Sequence, residues 1–161
     1  MVGNSAGLGN VFGTNRGGGI RMDASGGANH RIVNSILAYN SVSNPNDPAR
    51  DCVLFDQGLD SAYNHVQAPS TCSFSGTGDV VGGDPQLVTA LADNGGPTPT
   101  HALLPGSPAR DSADPAGCVG PGGMALPFDQ RGLGFPRVSG ERCDKGAFEA
   151  TADLIFRSSF E

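Results

Sequence analysis

Four cysteines, three histidines and a scatter of aspartates are the residues of this 161-residue sequence that could do chemistry. The cysteines stand at 52, 72, 118 and 143, outside any Cys-x-x-Cys pair and away from any histidine at metal-ligand spacing, which argues against zinc. Paired in order, Cys52 with Cys72 and Cys118 with Cys143 would close two loops where few backbone contacts hold the chain, each bridge contributing about 3 kcal/mol by restricting the unfolded state. Persistent disulfides imply an oxidising compartment. Four buried free thiols in a reducing one are the alternative. His30, His65 and His101 have no serine or cysteine motif beside them, so no catalytic triad can be argued. His101, in Thr100-His101-Ala102-Leu103, is expected to fill a structural slot with its ring nitrogens bonded to loop backbone.

Three further groups carry polar chemistry. Gly76-Thr77-Gly78-Asp79-Val80-Val81-Gly82-Gly83-Asp84 resembles one calcium-binding nonapeptide of a β-roll, but such sites share each ion between neighbouring copies and this sequence has one. An ordinary Gly-Asp turn is the expectation. In Asp129-Gln130-Arg131-Gly132, the planar guanidinium of Arg131 is suited to clamp carbonyls or carboxylates such as Asp111 or Asp144. Asn34 and Asn40 have corner spacing and suit a side-chain amide ladder between stacked coils, with carbohydrate contact as the rival use.

The elements that position these residues must be short. The chain carries 25 glycines and 12 prolines, has no tryptophan and only 2 tyrosines, and so must build its core from aliphatic side chains and close backbone stacking. Its net charge of −6 gives no footprint for a nucleic acid, and the scattered basic residues offer nothing to an anionic membrane surface. No apolar run approaches the roughly 18 residues of a membrane span. The sequence begins without a signal peptide, so the exported location implied by the cysteines predicts a fragment, or a misassigned start, of a longer secreted protein.

In order, Gly17-Gly18-Gly19 reads as a tight corner, Ile20-Arg21-Met22 as a strand, and Arg31 to Asn40 as the longest strand region, with Ile32, Asn34, Ile36 and Ala38 alternating inward. Likeness between residues 3–6 and 39–42 suggests a repeat of 36 residues. Ser41 to Arg50 is a proline-interrupted loop, Cys52-Val53-Leu54-Phe55 a strand, and Leu59 to His65 the next coil edge. Beyond residue 66, rigid turns alternate with short apolar pieces: Asp84-Pro85, Asn94-Gly95-Gly96-Pro97 and Gly106-Ser107-Pro108. Asn94 or Gly95 is expected at positive φ, folding Leu87, Leu91, Leu103 and Leu104 back onto the last coil.

Taken together, Gly17-Gly18-Gly19-Ile20, Asn34-Ser35-Ile36-Leu37-Ala38-Tyr39-Asn40, Leu91 to Ala109, Asp129-Gln130-Arg131-Gly132 and Cys143-Asp144-Lys145-Gly146-Ala147-Phe148-Glu149 resemble the carboxy-terminal part of choice-of-anchor Q domain proteins, of the pectin-lyase-like superfamily. Arg110 and Lys145 stand where that family usually carries apolar residues, and Met124-Ala125-Leu126 lengthens one connection. The resemblance implies an all-β fold: C-terminal coils of a right-handed parallel β-helix over residues 1–66, a loop-rich, disulfide-stapled terminal wrap over 67–149, and a tail over 150–161 that is either a sorting tag or a capping strand. It implies a non-catalytic, exported, adhesin-like cell-surface protein of a bacterial envelope, without a cofactor, whose partners are upstream coils and a surface carbohydrate or protein ligand. The rival reading is a polysaccharide lyase or hydrolase with catalytic coils upstream. Its signature would be clustered aspartates with Gly-His-Gly, or carboxylates around calcium with a basic proton acceptor. The sequence offers Arg31-Ile32-Val33 as the one echo, and Asp23, Asp51, Asp56 and Asp60 as carboxylates.

Overall fold

The computed structural model describes residues 19–22, 30–41, 51–54, 59–69, 72–120 and 123–151. They form seven short strands and almost no helix. These are β1 (Ile20–Met22), β2 (His30–Val33), β3 (Ile36–Leu37), β4 (Cys52–Leu54), β5 (Leu59–Ala62), β6 (His65–Val66) and β7 (Val80–Val81). Every pairing between them is parallel: β1 with β4, β2 with β5, and β6 between β3 and β7. Parallel neighbours cannot be joined by a tight hairpin, so each strand pairs with one a long connection away. Ile20 lies against Cys52, His30 against Leu59 and Ile36 against His65, a step of roughly 30 residues, the scale of one structural repeat. Residues 3–6, on which the expected step of 36 rested, lie outside the described residues. β7 pairs with β6 although it lies beyond residue 66, so the stacked strands run on into the loop-rich segment.

Strict alternation from Ile32 to Ala38 fails, and the reason is the corner at Asn34. Its φ of 51° breaks the run into β2 and β3 and reverses which parity points inward. Leu37, expected outside, packs with Cys52, Val66, Cys72 and Phe74 in the core between the parallel pairs, and Ile32 leans on the same cluster. Ile36 and Ala38 face the other way, where Leu87, Leu103 and Ala109 of the following segment cover them. One two-residue strand therefore serves two cores.

The corner repeats. Val33 pairs with Ala62, which places Asn34 beside Tyr63, also at positive φ (54°), and Gly78 follows at 72° one strand further on. A Cβ on Gly78 would stand 2.2 Å from the Tyr63 ring, so both the backbone conformation and the close approach require glycine there. Asn64, fully buried, ties the layers: its Nδ2 donates to Ile32 O and Asp79 Oδ1, and its Oδ1 accepts from Ser35 N–H. The amide ladder expected of Asn34 and Asn40 is not how those two side chains are used. Asn34 Oδ1 accepts from Asp114 N–H in the terminal segment, and Asn40 Nδ2 donates to Asp51 Oδ1.

From Asp84 onward the chain is a wrap of turns and isolated bridges, with Leu87 opposite Leu103, Ala92 opposite Thr100 and Phe128 opposite Pro136. Leu87 and Leu103 are buried, as expected. Leu91 and Leu104 are 62% and 41% exposed, because the antiparallel bridge turns alternate side chains away from the core. Two disulfides, Cys52–Cys72 and Cys118–Cys143, staple the structure, and the described residues contain no free thiol.

Candidate functional site

The densest polar chemistry lies where the turn at Asn94 meets Asp129 and Arg131. Arg131 doubles back on Asp129 because a turn closes there, Gly132 N–H donating to Asp129 O. Its Nε and Nη2 then reach Asp129 Oδ2 at 2.9 and 2.6 Å. The pair is buried, and its remaining capacity is filled by backbone. Glu149 N–H and Arg131 N–H donate to the carboxylate, and Arg131 Nη2 donates to Glu149 O. The guanidinium lies between two rings, 4.1 Å from the Phe135 centroid and 3.9 Å from Phe148. The clamp expected of Arg131 exists, but its carboxylate is Asp129. Asp144 is instead taken by Asp111 N–H and Ala150 N–H.

Asn94 and Gly95 sit on this lock. Asn94 Nδ2 donates to Thr100 O and Oγ1, and Gly95 has φ 97° with its α-carbon turned to Phe135, whose Cζ an added Cβ would meet at 2.6 Å. Asn94, Gly95, Asp129 and Arg131 therefore form one assembly. Asn34 and Asn40 belong to the parallel strands instead.

A second buried network adjoins it. Arg137 Nη1 reaches Glu149 Oε2 at 3.2 Å, Ser139 N–H and Asp144 N–H donate to the same carboxyl group, and Arg137 Nη2 spans Asp144 O and Gly146 O. Burial nonetheless outweighs these donors and pushes Glu149 up to about 7. Burial also raises Asp144. Lys145 is 2% exposed and passes its ammonium to Gly78 O at 2.9 Å and Asn64 O at 3.3 Å, so the wrap is pinned to the stacked corner. Burial lowers its pKa, and that of His65 as well. Sequence reasoning missed Asn64, Lys145 and Glu149 because each lone polar residue acquires its role only from a partner distant in the chain.

A groove of about 490 Å³ runs between β3 and the wrap, floored by Ile36, Leu87 and Leu103 and edged by His101, Gln130 and Lys145. His101 Nδ1 donates to Val88 O, so the loop-backbone bond expected of it is formed at one nitrogen. Its Nε2 is buried without a protein partner. The groove holds no pair of carboxylates for acid–base work. Asp51 is fully buried, its oxygens taken by Asn40 and Ala68 N–H, and Asp60 lies on the surface 3.6 Å from Arg31. Asp23 and Asp56 lie outside the described residues. In the calcium-like nonapeptide, the Asp79 carboxylate accepts from Ser61, Asn64 and Gly76, which makes it a fastener of the Gly-Asp turn expected there. Among the described residues no group of three or more His, Cys, Asp or Glu is arranged to hold a metal, and no helix is long and apolar enough to cross a membrane. No protein family, curated protein or solved structure matches the chain.

Proposed function

We propose that this chain is the closing part of a parallel β-helix, and that it serves a structural or adhesive role on an exported bacterial surface protein rather than a catalytic one. The observation that carries the reading is the use made of four buried acids and the half-buried Asp79. Asp51, Asp79, Asp129, Asp144 and Glu149 each accept backbone N–H donors, which makes them fasteners of turns. A general acid or base needs an oxygen within reach of substrate, and these are spent on the fold. The roughly 30-residue parallel step supports coils stacked as in a solenoid, with the wrap as its cover. The disulfides fit an oxidising environment outside the cytoplasm.

The test is to express the chain with an export signal in a Gram-negative host and to assay surface exposure by protease shaving and turnover on acidic polysaccharides. Surface-exposed protein without release of unsaturated or reducing ends is expected. Turnover that survives purification overturns the non-catalytic reading.

A further inference from the structure

We propose that the Asp84–Pro85 peptide bond is an acid-triggered self-cleavage site that divides the folded protein into two separately disulfide-closed halves. Three Asp-Pro bonds occur in the sequence, at 47–48, 84–85 and 114–115. Such a bond is vulnerable because proline makes a tertiary amide, whose nitrogen leaves more readily once protonated, and because the aspartate side chain is a nucleophile already tethered beside the carbonyl. Asp47–Pro48 lies outside the described residues, and what separates 84–85 from 114–115 is a tyrosine hydroxyl bonded to the aspartate carboxylate. Tyr39 O–H donates to Asp84 Oδ1, and Gln86 N–H donates to the same oxygen at 2.8 Å, which closes a side-chain turn across the Asp84–Pro85 peptide. His65 Nε2 holds Gly83 O on one side at 3.3 Å, and Ser107 Oγ donates to Pro85 O at 2.6 Å on the other. Gln86, the residue after Pro85, has φ 54°, a conformation a side-chain-bearing residue adopts at a cost, so the turn that carries the bond is held in a strained backbone.

The step balances without a cofactor. A carboxylate oxygen of Asp84 attacks the Asp84 carbonyl carbon, hydronium protonates the Pro85 nitrogen, and the carbon–nitrogen bond breaks. The products are a cyclic anhydride on Asp84 and a free secondary amine on Pro85. Water opens the anhydride, so one water is consumed overall. Holding the reacting groups together is the kind of restraint that accelerates an intramolecular reaction. The titratable groups facing Asp84 are Tyr39 and His65, with Lys145 near His65. Tyr39 is a positioning residue here. Neither disulfide bridges the cut, since Cys52–Cys72 lies before it and Cys118–Cys143 after it. Contacts such as Lys145 to Gly78 are then all that join the halves.

The test is incubation of the native protein at about pH 4, with fragment masses read without reduction. Fragments 1–84 and 85–161, together one water heavier than the intact chain, should form about tenfold faster than cleavage at Asp114–Pro115 in the same molecule. Asp114 makes the same local turn bond, to Ala116 N–H, but no bond to a tyrosine hydroxyl, and so serves as the internal control. In urea, and in Tyr39→Phe, the two sites should cleave alike, and Asp84→Asn should abolish the fast cut. Equal rates at the two sites in native protein, or a faster cut at 84–85 in urea than in the folded state, overturn the proposal. Should Tyr39→Phe fail to fold, the native-to-urea ratio of the wild type decides.

Discussion

Tyr63 lies beside Asn34 at one corner of adjacent parallel strands, and both residues hold positive φ, 54° and 51°. Neither is glycine, so the corner is imposed by the stacked strands on either side of it. Gly78 completes the series beneath the Tyr63 ring. Gly78→Ala should cost about 1–3 kcal/mol, through left-handed strain and the collision with that ring. Urea unfolding measures it, and a loss below a few tenths of a kcal/mol would remove the corner from the set of features that hold the fold.

Gly95→Val tests the turn above the Arg131 lock. A β-branched residue at φ 97°, with its Cβ directed at Phe135, should destabilise the chain by on the order of 1–3 kcal/mol. An unchanged melting temperature combined with lost ligand binding would instead make the turn a binding surface.

Arg131→Lys keeps the charge but loses the fork to Asp129 and the stacking between Phe135 and Phe148, so it is not conservative. Arg131→Ala strands a buried carboxylate and should cost about 3–5 kcal/mol. Double-mutant cycles with Asp129→Asn measure the coupling. Near-additive losses would show that the pair does not act as a unit.

How much of this could be read from sequence depends on the range of each interaction. The turn at Gly95 and the structural use of Arg131 were legible, since a glycine after asparagine and a guanidinium two residues from a carboxylate are local signals. The sequential pairing of the cysteines, expected as closing two loops in turn-rich sequence, is the one formed. The inward parity of β3 was not legible, because the φ of Asn34 that inverts it depends on neighbours β2 and β5. Nor was the burial of Lys145, whose two carbonyl acceptors lie at residues 64 and 78.

Glu149 predicts a pH dependence of definite sign. A carboxyl raised from 4.5 to about 7 keeps its proton in the folded chain where the unfolded chain has released it. The folded state therefore binds more protons across that window, and Glu149's contribution to stability is full below it and lost as pH rises through about 7. His65, lowered by burial, acts in the opposite sense as pH falls. The diagnostic is thus the difference between wild type and Glu149→Gln: stability curves that stay parallel from pH 4.5 to 7 would exclude a raised carboxyl at this position.

Each native bridge should also survive as a crosslink in mass mapping of non-reduced peptides, as Cys52–Cys72 and Cys118–Cys143. Removing either pair should cost about 2–5 kcal/mol. Free alkylation of all four cysteines in oxidised protein would contradict the stapled structure.

Those bridges also set how the molecule behaves under tension. Each closes a loop, of sequence separation 20 and 25, that a pull on the chain ends cannot lengthen. At about 3.5 Å per extended residue, roughly 150 Å of contour stays hidden from the applied force. A protein built this way yields in two stages. The turns between the bridges give way first, and the hidden length is released only to a reductant, so its reach under load depends on the redox state of its surroundings.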